Sequence, residues 1–74
     1  MKEKILEILK EINPYEDIDK ESRLIEDGIL DSLTLVILIS ELETAFTVKI
    51  PEDKLQPELF ENVTKIEELI NGLR

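Results

Sequence analysis

The chain carries no cysteine and no histidine in its 74 residues, so its core must hold without disulfides or thiolate-bound metal. The missing histidine also removes the commonest transition-metal ligand and the usual general base near neutral pH. A domain this short hides only about 60% of the surface that its unfolded chain exposes. Its stability without a staple is roughly 3–5 kcal/mol. These constraints select a small hydrophobic core and disfavour a self-contained enzyme.

Charge narrows the partners. Eighteen Asp and Glu against nine Lys and Arg give a net charge of −9. Such a surface repels nucleic-acid phosphates and anionic lipid and favours encounter with basic protein patches. A hydrophobic content of 42% argues against the disorder that one-signed charge often signals. No apolar run approaches the roughly 20 residues needed to cross a bilayer. Met1-Lys2-Glu3-Lys4-Ile5-Leu6-Glu7 puts charge where a signal peptide is apolar. The expectation is one monomeric domain over residues 1–74, cytoplasmic, with no nucleic-acid partner and no membrane insertion.

Apolar spacing predicts an all-α fold: a small four-helix bundle of three longer helices and one short one. Ile5, Ile8, Leu9 and Ile12 recur at i, i+3, i+4 and i+7. That helix ends near Asn13, because Pro14 disfavours helical geometry in the residue before it. Residues 14–31 lack periodicity, but Ile18, Leu24, Ile25, Ile29 and Leu30 predict a long ordered loop pinned to the helices. Gly28 supplies φ > 0 for a sharp turn ahead of the next helix. Asp31 is a plausible N-cap for a helix from about Ser32 to Phe46. Pro57-Glu58-Leu59-Phe60 predicts one short helical turn with Pro at its favoured first position. Thr64-Lys65-Ile66-Glu67 fits the capping-box pattern and predicts the start of the last helix.

The second helix is apolar on two sides. At 100° per residue Leu35, Leu38, Ile39, Leu42 and Phe46 gather on one side, which should face the core. Leu33, Val36 and Ile37 fall opposite, with Ser40 and Thr44 between them. Two readings stand. The long loop covers the second side, or that side meets a partner.

Candidate chemistry is sparse. Asp17-Ile18-Asp19-Lys20-Glu21 begins like a calcium loop, but Ser22 replaces the glycine at position six and Gly28 replaces the glutamate at position twelve. No metal site is expected. Carboxylates are numerous without a spacing that marks a catalytic pair, and no glycine-rich phosphate loop occurs. Ser22 lies in the loop, where bonding to backbone is the default, and Ser40 sits mid-helix. Ser32 differs. It opens a helix directly after a turn, where unpaired N–H groups and the helix dipole favour a phosphate. An Asp-Ser cap alone is ordinary.

The wider segment is more specific. Leu24-Ile25-Glu26-Asp27-Gly28-Ile29-Leu30-Asp31-Ser32-Leu33 resembles the phosphopantetheine attachment motif of acyl carrier proteins. The likeness continues through Glu41-Leu42-Glu43, Phe46, Ile50-Pro51 and Val63-Thr64-Lys65-Ile66. It implies that Ser32 bears covalent 4′-phosphopantetheine, derived from coenzyme A, and that cargo rides as a thioester on the arm's thiol. A cofactor would then bring the thiol this chain lacks. A separate phosphopantetheinyl transferase would install the arm, with Asp31 capping the helix and helping that enzyme hold magnesium and substrate. Leu33, Val36 and Ile37, with Glu41 and Glu43, would form the docking surface for that transferase, a loading ligase and downstream transferases with basic patches.

On this reading the protein is an acyl carrier with no turnover of its own. Its second helix, however, has Thr34, Ile37 and Ser40 where fatty-acid carriers usually show acids. The stretch from Pro51 to Val63 is also somewhat longer than in the fatty-acid form. Both features are similar to stand-alone carriers for D-alanine, other amino acids or polyketide-type acyl groups, so an aminoacyl carrier loaded by an ATP-dependent ligase remains open. An unmodified helical interaction module is the alternative of another class.

Overall fold

The computed structural model describes residues 1–74, all of them helical, turn or loop. Three α-helices carry the architecture: α1 (Lys2–Ile12), α2 (Ser32–Phe46) and α3 (Val63–Leu73). Two short 3₁₀ turns, Glu52–Lys54 and Pro57–Phe60, lie between α2 and α3. The short helical turn expected at Pro57–Phe60 forms as a 3₁₀ turn with Pro57 at its first position, and a second such turn lies at Glu52–Lys54.

The core is wholly apolar. Ile5, Ile8 and Leu9 of α1 meet Leu38 and Leu42 of α2 and Val63, Ile66, Leu69 and Ile70 of α3. Phe60 plugs the remaining space with no exposed surface. No buried side-chain polar atom lacks a hydrogen-bond partner. Each such fully covered aliphatic side chain contributes roughly 1.5–3 kcal/mol, offsetting the ordering cost of a small chain.

The long loop is ordered by its apolar residues, as expected. Ile18, Leu24, Ile29 and Leu30 are buried. Gly28 takes φ +74°, and its N–H reaches the Ile25 carbonyl at 3.1 Å. The Leu30 N–H then returns to the Leu24 carbonyl at 2.8 Å, while the Leu24 N–H donates to the Glu61 carbonyl at 2.8 Å. Those two bonds tie the approach to α2 to the approach to α3. Asn13 adds a bond from its side-chain amide to the Ile29 carbonyl at 3.3 Å.

One helix start needs correction. Thr64 does not cap α3: Asn62 does, its side-chain oxygen accepting from the Lys65 N–H at 2.8 Å. Val63 is already helical and fully buried, and Asn is the stronger cap residue. A capping box does occur, but on α2, where Asp31 and Thr34 form it.

Candidate functional site

The start of α2 is built around Asp31. Its Oδ1 accepts from the backbone N–H of Leu33 at 3.0 Å and of Thr34 at 2.9 Å, and from the Thr34 hydroxyl at 3.0 Å. In return the Asp31 N–H donates to Thr34 Oγ1 at 2.7 Å. The box therefore satisfies three backbone donors at once. The same bonds act on the carboxyl: the Thr34 N–H first, then the Thr34 hydroxyl, hold Asp31 below its ordinary acidity range. Thr34 went unrecognised in the sequence because its partner is Asp, whereas the usual box pairs Ser or Thr with Glu or Gln. The spacing Asp31-x-x-Thr34 was the available signal.

Ser32 is the first helical residue and is exposed. None of the bonds at this turn uses its Oγ. Beside it lies a hollow of about 210 Å³, lined by Ile25, Leu30, Asp31, Ser32, Leu35 and Pro57. Loop, helix and 3₁₀ turn thus converge on the one serine that opens a long helix. An exposed hydroxyl at the positive end of α2, with a largely apolar hollow alongside, is an arrangement on which a phosphodiester can be built and its tether can leave freely.

The side of α2 facing away from the core is open. Leu33 is 71% exposed, Val36 63% and Ile37 41%. The long loop therefore leaves this side uncovered. The five residues grouped with it from sequence separate in space. Leu33 and Val36 stand at the helix start near Ser32. Ile37 and Glu41 lean toward α1 and line a groove with Ile8, Glu11 and Ile12. Glu43 is half-buried, and its Oε2 accepts the Ile50 N–H at 2.8 Å. That carboxylate fastens the chain after α2, a role set by tertiary contact and not visible in local sequence.

The acidic loop holds itself. Asp19 Oδ1 accepts the Glu21 N–H at 2.8 Å, and the Asp19 N–H donates to Ser22 Oγ at 2.9 Å. Nowhere do three carboxylates converge in a way that could hold a metal ion. No helix is long and apolar enough to cross a membrane.

Comparison with known proteins supplies the family. The pattern described as the phosphopantetheine attachment site matches residues 3–73. The chain belongs to the phosphopantetheine-binding carrier family. The carrier is 37% identical over 68 residues to a D-alanyl carrier protein of Lactococcus lactis subsp. cremoris, covering 89% of this chain and 86% of that one. It is 37% identical over 65 residues to an acyl carrier protein of Campylobacter lari, covering 86% and 78%. A D-alanyl carrier protein of Streptococcus uberis is 40% identical over 55 residues, covering 74% and 70%. No solved structure matches the carrier. Proteins of this family carry cargo on phosphopantetheine and are not enzymes, so the carrier works with enzymes that modify and load it.

Proposed function

We propose that residues 1–74 act as one carrier unit whose arm is attached at Ser32 and whose cargo is a small aminoacyl group of the D-alanyl kind. The observation that carries the reading is the exposed, hydrogen-bond-free Ser32 hydroxyl at the first position of α2, within a chain matched almost end to end by the attachment-site pattern. When bound, the arm supplies a terminal thiol that holds cargo as a thioester. The chain's own residues present and hold. Asp31 fixes the first turn so that the hydroxyl stays outside it. The Ser32 N–H and the positive end of α2 would stabilise the phosphodiester's charge, and the largely apolar hollow lined by Ile25, Leu30, Leu35 and Pro57 lies beside that serine.

Two observations support small cargo. D-alanyl carrier proteins recur among the relatives. Between the helices Leu38, Leu42, Phe60, Val63, Ile66 and Ile70 have no exposed surface, so a long chain entering there would have to displace close-packed side chains. The acyl carrier reading keeps one specific support, the Campylobacter lari relative. Leu33 and Val36, exposed beside Ser32, are the apolar centre of the docking face for the modifying and loading enzymes.

The discriminating experiment offers the arm-bearing protein ATP, D-alanine and a D-alanine-activating ligase in parallel with fatty acids and their ligase. Intact mass after each reaction is the readout. The proposal expects a thioester with D-alanine and little with long fatty acids; preferential loading with a long acyl chain overturns the cargo assignment.

A further inference from the structure

The groove between α1 and α2 has a floor and a rim of opposite character. Ile8 is buried beneath it, Ile12 is half-buried, and Ile37 forms its α2 wall while remaining 41% exposed. Glu11 and Glu41, both exposed, stand on the two helices that border it. The ion pairs of this chain use Glu3, Glu7, Glu26 and Glu67, so neither rim carboxylate is neutralised by a cation of the molecule. Lysine and arginine are absent from α2 altogether. Two helices thus present an apolar strip flanked by two carboxylates that no cation of the chain pairs.

We propose that this groove is an interaction surface for a protein segment that lays an aliphatic side chain across Ile12 and Ile37 and sets an arginine or lysine between Glu11 and Glu41. The inference rests on the carrier reading and adds α1 to the face that docks. A space of about 310 Å³ takes one or two side chains of a segment lying over it. The charge selects the occupant: a cation opposite two unpaired carboxylates repays its desolvation, whereas an anionic segment is repelled. A second copy of this chain is disfavoured by a net charge of −9 on each partner. The aliphatic contact supplies most of the affinity and the charges set orientation and encounter rate.

The test uses the full chain with labelled isoleucine methyls and a synthetic amphipathic helix bearing leucines on one face flanked by arginines. Titration should shift the Ile8, Ile12 and Ile37 methyls before others. Glu11→Gln with Glu41→Gln should weaken binding about ten-fold. Asp53→Asn with Glu58→Gln removes the same charge from exposed positions elsewhere and should weaken it less than about two-fold. Equal weakening by both pairs, methyl shifts centred elsewhere, the same shifts with magnesium alone, or dimerisation through the groove each overturns the proposal. Arm attachment to the same sample is read separately by mass. A carrier that accepts the arm but shows no groove preference refutes only the groove, and one that refuses the arm refutes the attachment at Ser32.

Discussion

Three consecutive residues of α2 give the sharpest test of a helix with one side in the core and one in the open. Val36 is 63% exposed, Ile37 41% and Leu38 fully buried, so truncating each to alanine samples three environments on one backbone. Leu38→Ala removes a side chain packed on all sides and should cost about 3 kcal/mol, within the range of roughly 2–5 for such a change. Ile37→Ala loses a partly covered side chain and recovers a few tenths from alanine's helix propensity; the net cost is about 0.5–1 kcal/mol. Val36→Ala loses little contact and gains propensity, leaving stability within about 0.5 kcal/mol of the parent. Against a total of roughly 3–5 kcal/mol, only Leu38→Ala threatens the fold. Urea unfolding followed by circular dichroism at 222 nm reads all three. With a slope of about 1 kcal/mol per molar for a domain this small, Leu38→Ala should lower the midpoint by about 3 M, and Val36→Ala by under about 0.5 M. A Val36→Ala midpoint as low as that of Leu38→Ala would refute the two-sided assignment.

Thr47 sits in the left-handed region at φ 53°, a conformation that penalises a β-branched side chain and suits glycine. Thr47→Gly should raise stability by up to about 1 kcal/mol, and a lower melting temperature would count against strain there. Asp31 has a carboxyl held below its ordinary range by the Thr34 N–H, so its folded pKa lies below its unfolded one. The stability it contributes is present above the unfolded value and is lost as pH falls through the folded one. NMR titration should place the Asp31 midpoint below that of an unstructured aspartate, and Asp31→Asn should shrink the acid-induced fall in melting temperature. Glu43→Ala strands the part-buried Ile50 N–H and should cost about 1–2 kcal/mol. Glu43→Gln keeps an acceptor, and equal losses from both would show that the bond contributes little.

Much of this architecture is legible locally because its signals are steric. Pro14 ends α1 where it must, Asp31 begins α2, and Gly28 turns the chain between them. The two-sided character of α2 follows from periodicity alone, since Leu38 and Leu42 fall opposite Leu33 and Val36. Whether the second side stays open does not follow from periodicity, because it depends on where the loop lies. At α3 the Thr64 pattern is outcompeted by a stronger cap, Asn62. Val63 already belonged to the apolar stripe, which requires the helix to start before Thr64, and Asn62 stood ready one residue earlier. Glu43 and the groove at Ile37 escaped for another reason. Their partners, Ile50 and the residues of α1, are brought near only by the fold. The turn that presents Ser32 is legible because its segment combines a glycine turn and a helix cap within a few residues. Its neighbours in the hollow, Leu35 and Pro57, come from separate elements and carry no joint signature.

The central claim concerns a single oxygen, and intact mass tests it most directly. The protein is incubated with coenzyme A, magnesium and a broad-specificity phosphopantetheinyl transferase, beside Ser32→Ala. The account predicts that the parent gains one phosphopantetheine and that the variant, still folded, gains none. No gain in the parent while the same transferase modifies another carrier, or a gain that persists in Ser32→Ala, would contradict it.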